Sequence, residues 1–133
     1  DLIKFKKTNR MEIVQKILIG LVAIEHLYFL YFEMFAWETI GKKTFKTLPE
    51  HLFAPTKALA ANQGLYNGFL SAGLIWSFFI SEPIWSKNVA SFFLLCVITA
   101  GVYGAISASK KIFYVQALPA IIALICLYFF GIR

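Results

Sequence analysis

Charge is scarce in this chain. Only 15% of its 133 residues are charged, against about 25% in a soluble domain. Hydrophobic residues make up 59%, and a soluble core of this size could not hide that much apolar surface. The shortage of charge excludes an ordinary soluble domain and points to the membrane class. Cysteine is equally sparse. Cys96 and Cys126 lie inside hydrophobic segments and form no CxxC or CxxH pattern. That excludes a disulfide framework and a thiol redox pair; both read as small buried hydrophobes. A Gly-rich phosphate loop, a nucleophile–base pair, an internal repeat and a low-complexity tract are all missing. So are the metal patterns Glu-x-x-His and His-x-x-x-His. No metal and no cofactor is expected. The net charge of +6 comes from lysines at segment ends. They form no groove-sized patch, so the expected partner is the lipid bilayer with its anionic headgroups, not nucleic acid.

Long apolar segments fill the space that charge leaves. Residues 1–10, DLIKFKKTNR, form a basic N-terminal extension, either a native tail or a stretch upstream of a start at Met11. Residues 11–133 read as one domain. A helix rises 1.5 Å per residue, so a hydrocarbon core of about 30 Å needs about 20 residues. The uncharged runs 58–81, 88–109 and 112–132 each meet that length. With the first apolar stretch they predict helices at about 12–37, 56–81, 84–108 and 111–132. Thr56 is a candidate N-cap after Pro55. Pro119 is expected to kink the last helix and free one carbonyl. The connection 38–55 carries Lys42, Lys43 and Lys46 with the breakers Gly41, Pro49 and Pro55. It is expected to lie on the membrane interface, with a helical turn near 49–53.

The turns at Glu82-Pro83 and Lys110-Lys111 are short, so neighbouring helices are antiparallel. The expected fold is all-α, an integral membrane four-helix up-down bundle, multi-pass in the cell membrane. No small-residue cleavage site follows the first apolar stretch, so insertion by the first helix itself is the simpler reading. Lys16, Lys87 and Arg133 fall on one side of the membrane; Lys42, Lys43, Lys46, Lys57, Lys110 and Lys111 fall on the other. With Lys4, Lys6, Lys7 and Arg10 added to the first side the count is seven against six and the positive-inside rule is undecided; without residues 1–10 it is three against six and favours both termini outside.

The most informative stretch is 24–38, IEHLYFLYFEMFAWE. Glu25 falls near mid-bilayer, and Glu33 lies about 12 Å nearer the 38–55 connection. A charge at the bilayer centre costs roughly 2.5–3.5 kcal/mol. Glu25 is therefore expected to face the interior, to be neutral, or both. The alternative is an acid hydrogen-bonded between helices for structure alone. Glu38, beside Trp37, reads as a solvated helix end. His26 and Glu33 share one helical stripe, and His26 reads as a neutral bridge between helices. In LAANQGLYNGFLSAGL, Ala60, Gly64, Gly68 and Ala72 form a small-residue ridge for close helix packing. Ala100 and Gly104 form a second. Asn62 and Gln63 fall at the depth of Glu33, and Asn67 nearer that of Glu25. Buried amides need partners, and these acids supply them. Glu25, His26, Glu33, Asn62, Gln63 and Asn67 thus make a candidate polar pocket. Thr99, Tyr103, Tyr114, Gln116 and Tyr128 read as interfacial anchors or local hydrogen-bonders.

The stretch EHLYFLYFEMFAWET followed by LAANQGLYNGFLSAGL resembles domain-of-unknown-function family 1304, small four-helix membrane proteins common in bacteria. The resemblance covers nearly the whole chain after Met11. It implies an integral membrane protein and no particular activity. Glu25, His26, Glu33, Glu38, Asn62, Gln63 and Asn67 fall inside its motifs. Three functions fit the residues. The preferred one binds or transports a small polar or cationic solute, or a lipid headgroup, with Glu25 changing protonation and with a homodimer formed through the glycine ridges. The second is a membrane-embedded enzyme on a lipid-like substrate, with Glu25 or Glu33 as acid–base group. The third is a structural partner subunit whose polar core fixes helix register.

Overall fold

A computed structural model describes residues 2–130, and of residues 4–11 the backbone alone. Residue 1 of the basic extension, the last two residues of the expected fourth helix and Arg133 lie outside the described residues. The chain is all-α. Its long helices are α1 (Leu2–Phe35), α2 (Phe53–Ser77), α3 (Pro83–Ser107) and α4 (Leu118–Phe129). A π-helical turn, Phe113–Ala117, leads into α4. Helix α1 packs on α2 and α4, α2 on α3, and α3 on α4 and its leading turn. The four therefore close into a ring. Two segments, Glu12–Phe35 and Pro83–Ser107, are long and apolar enough to cross a membrane. Helix α2 has 25 residues, but its amides and serines dilute its apolar content. The apolar helix Phe113–Phe129 is shorter.

The helix ends follow local chemistry. Helix α1 starts ten residues earlier than the hydropathy suggests, because residues 2–11 contain no Gly or Pro to stop it. It breaks at Ala36 (φ −138°, ψ 31°). A π turn at Trp37–Gly41 and one α turn at Lys42–Thr44 follow. The Trp37 indole folds back over this turn: a Cβ on Gly41 would meet the ring at 2.7 Å. The same ring packs on Phe45 and Phe53 at centroid distances of 5.4 and 5.1 Å, and its Nε1 donates to Thr56 Oγ1 at 3.0 Å. Helix α2 starts at Phe53, after a 3-10 turn at Glu50–Leu52. Thr56 is thus inside the helix, not its cap, and its hydroxyl donates to the Leu52 carbonyl at 2.6 Å. Pro55 is harmless there, since first-turn N–H groups have no intrahelical partner. Glu82 caps α3, accepting from the Ile84 and Trp85 N–H groups at 3.1 and 2.8 Å.

Pro119 explains the π turn. It has no N–H for the carbonyl four residues back, and its ring crowds that carbonyl. The backbone answers by widening the preceding turn, so that the Leu118 N–H reaches the Phe113 carbonyl.

The interior is a seam with alternating spacings of four and three. On α2 it runs Ala60, Gly64, Asn67, Ser71, Leu74; on α3 it runs Ala90, Leu94, Val97, Gly101. This is the spacing that keeps one stripe toward a neighbour. A strict spacing of four drifts by about 40° per step. The expected ridges therefore rotate off the seam: Ala72 and Ala100 are exposed, and Ser71 and Gly101 take the buried places. Gly64 and Gly101 are required by close approach. A Cβ on Gly64 would lie 2.9 Å from Glu33 Cβ, and one on Gly101 would lie 2.7 Å from the Ala117 nitrogen. A Cβ on Gly104 would lie 2.9 Å from Ile112 Cγ2, and one on Gly68 would run into the Leu30 side chain.

Candidate functional site

Glu33 is 3% exposed, in the seam between α1 and α2. Gly64 brings the α2 backbone close enough for two side chains on either side of it to reach the carboxylate. Gln63 Nε2 donates to Oε1 at 3.1 Å, and Asn67 Nδ2 donates to Oε2 at 2.7 Å. Each oxygen has one donor. Carboxamides can also turn their carbonyls toward a neutral acid, so the same two residues can hold Glu33 in either protonation state.

His26 lies fully buried, seven residues before Glu33 on the same stripe. Its Nδ1 sits 2.8 Å from the Val22 carbonyl, which can only accept, so Nδ1 donates. Its Nε2 then accepts from Gln116 Nε2 at 3.2 Å. Gln116 belongs to the π turn that Pro119 imposes. The His26 ring also meets Phe29 edge-on, with centroids 5.1 Å apart. His26 thus joins α1 to the π turn, while Glu33 joins α1 to α2. Below them, Ser71 Oγ donates to the Ala23 carbonyl at 2.8 Å, a third polar tie across the α1–α2 seam.

Glu25 is placed differently. It is half-buried, and among the described residues its buried Oε2 has no hydrogen-bond partner. The neighbouring His26 points about 100° away around the helix and spends both nitrogens elsewhere. Asn67 is committed to Glu33. Asn62 is exposed and bonds its own helix, donating to the Ala58 carbonyl at 3.1 Å. The structure therefore brings Glu33, Gln63 and Asn67 together, pairs His26 with Gln116, and leaves Glu25 and Asn62 outside both groups. Glu38 is at the surface, 3.4 Å from Lys57 Nζ.

Gln116 is the residue that sequence reasoning placed too low. Its signal was there in Pro119 three residues on, which distorts the turn that presents it. Among the described residues no three His, Cys, Asp or Glu side chains gather in a way that could hold a metal ion. Cys96 and Cys126 are free.

The family model described as "Protein of unknown function (DUF1304)" matches residues 20–128. The chain is 35% identical over 121 residues to an uncharacterized protein, YpaA, of Lactococcus lactis subsp. lactis (strain IL1403). That alignment covers 90% of this chain and 100% of the relative. No solved structure matches it significantly.

Proposed function

This chain belongs to the DUF1304 family, and from that premise we propose that it is a multi-pass membrane protein that binds a small cationic solute at Glu25. The four helices form an up-down bundle in the bilayer, with the lysine-bearing turn after α1 on the cytoplasmic side. The outer surface supports insertion. Ile24 and Phe35 on α1, Leu59 and Phe69 on α2, Phe92 and Ile106 on α3, and Ile125 and Phe129 on α4 are all exposed. Large side chains of this kind on every helix suit lipid and are more than a soluble monomer leaves uncovered.

The observation that carries the solute reading is the open Glu25 oxygen. Glu33 has a donor on each oxygen, whereas Glu25 Oε2 is buried with none among the described residues. A buried acceptor without a donor is costly, and an ammonium or guanidinium supplies both a donor and a compensating charge. Titration calorimetry with methylammonium and guanidinium chloride on the detergent-purified chain tests it. The wild type is expected to bind at least one of the two, and Glu25→Gln neither. Equal binding by the variant, or no binding by either protein, sinks the reading.

One observation favours a second reading. Glu33 is already fully paired, so the α1–α2 polar set works as a register device whether or not a solute binds. On that reading the chain is a structural subunit, and Glu25 meets a donor from a partner helix.

A further inference from the structure

At the helix ends remote from the Trp37–Phe53 cluster, a cleft of about 290 Å³ opens among the four helices. Its floor is apolar, made by Ile19, Ala90 and Leu127. Several of its polar walls are already engaged. Gln15 Nε2 donates to the Cys126 carbonyl at 3.1 Å, and Ser86 Oγ donates to the Ser77 carbonyl at 2.7 Å. The acid and one of the two lysines at its rim are not. Among the described residues, the Glu12 and Lys16 side chains have no hydrogen-bond or ion-pair partner. Lys87 Nζ stands 4.0 Å over the Tyr128 ring, and the Tyr128 hydroxyl is held in hydrogen-bond contact with Ser91 Oγ at 3.1 Å. An ammonium seated on a ring face keeps N–H donors directed away from it.

Two ammonium groups and one carboxylate thus surround a cleft with a greasy floor. That set matches an amphiphile whose polar end carries both an anion and a cation. We propose that this cleft binds the headgroup of a phospholipid bearing a primary amine. The phosphodiester lies between Lys16 and Lys87, the ammonium on Glu12, and the start of an acyl chain over Ile19, Ala90 and Leu127. Glu12 and Lys16 are one helical turn apart, about 6 Å between Cβ atoms, which suits a phosphoethanolamine group. A quaternary amine gives Glu12 no N–H to accept. A glycerol headgroup gives it no cation. The inference rests on the membrane reading but not on the solute site at Glu25.

The test is native mass spectrometry of the full chain in detergent. Its ligands are phosphatidylethanolamine, phosphatidylcholine, phosphatidylglycerol, soluble glycerophosphoethanolamine and inorganic phosphate. Phosphatidylethanolamine is expected to bind at least tenfold more tightly than the other two lipids. The double variant K16Q/K87Q is expected to lose at least tenfold of that affinity, while K42Q/K46Q, at the other end of the helices, keeps it. Wild-type binding by K16Q/K87Q overturns the proposal. So does a soluble phosphate compound that binds as tightly as the lipid. Should K16Q/K87Q fail to fold, Glu12→Gln decides: loss of the preference over phosphatidylglycerol supports the site, and an unchanged preference overturns it. Release of the chain from membranes by alkaline carbonate would overturn the membrane reading and this inference together. A chain that needs detergent yet ignores phosphatidylethanolamine overturns this inference alone.

Discussion

Glu25 and Glu33 sit on one helix, eight residues apart, and the fold treats them in opposite ways. Glu33 faces α2 across Gly64 and receives a donor on each oxygen. Glu25 turns off that seam, and its buried Oε2 receives none among the described residues. An acid pinned by a neighbouring helix belongs to the frame. An acid left without a donor on its buried oxygen stands outside it. Two glutamates that look alike by hydropathy thus differ by whether a glycine and an amide stand opposite.

The largest effect should come from making Glu33 resemble Glu25. Gly64→Leu does this by forcing the helices apart, since even a Cβ would lie 2.9 Å from Glu33 Cβ and Met34 Cγ and 3.1 Å from the Leu30 carbonyl. Overpacking of this kind costs about 3 kcal/mol. Equilibrium unfolding in SDS mixed micelles measures it. A loss below about 1 kcal/mol would mean that the α1–α2 seam gives way easily and that the pairing of Glu33 is incidental.

Asn67→Leu attacks the pairing without moving the backbone. It removes the 2.7 Å donor on Glu33 Oε2 and should cost about 2 kcal/mol, near the top of the range for interhelical hydrogen bonds in membranes because an acid is left short of a partner. Glu33→Gln should cost less, about 1 kcal/mol. The new carboxamide keeps one carbonyl for one neighbour, and the other neighbour must turn its own carbonyl toward the new amide nitrogen. In combination with Gly64→Leu, Asn67→Leu should add little, because both break the same contact.

These particulars show what a sequence can and cannot reveal about such a site. That Glu33 shares a depth with Gln63 was legible, because helix rise and antiparallel order fix depth. Rotation about the helix axis was harder. The drift of a four-residue spacing decided that Ser71 and Gly101, not Ala72 and Ala100, face inward. Asn62 shares the depth of Glu33 but points off the seam, so its amide settles on Ala58 of its own helix. The partner of His26 was least legible. Gln116 reaches it from a π turn, and regular helical geometry gives no register for a residue in a widened turn.

Gln116→Leu tests that last contact and should have a smaller effect. It deprives His26 Nε2 of its donor while Nδ1 keeps the Val22 carbonyl. One neutral interhelical hydrogen bond is worth about 0.6 kcal/mol in a membrane, and the same unfolding measurement should return about that figure. A loss as large as that of Asn67→Leu would make His26 part of the frame on equal terms with Glu33 and would weaken the contrast between paired and open acids.

The smallest change in stability should come from Glu25→Gln. The substitution keeps shape and removes charge. Glutamine can put its carbonyl where Oε2 lies and turn its amide nitrogen toward the half-exposed side, so no new buried donor is orphaned. A shift within about 0.5 kcal/mol is expected, with a gain more natural than a loss, since an unpartnered acceptor on an acid is worse than one on an amide. The same variant should lose all binding of methylammonium and guanidinium. Stability kept and binding lost would separate Glu25 from Glu33 by function. If Glu25→Gln instead destabilises as much as Glu33→Gln, Glu25 has a partner in the membrane, and a second helix supplies the donor that this chain alone does not.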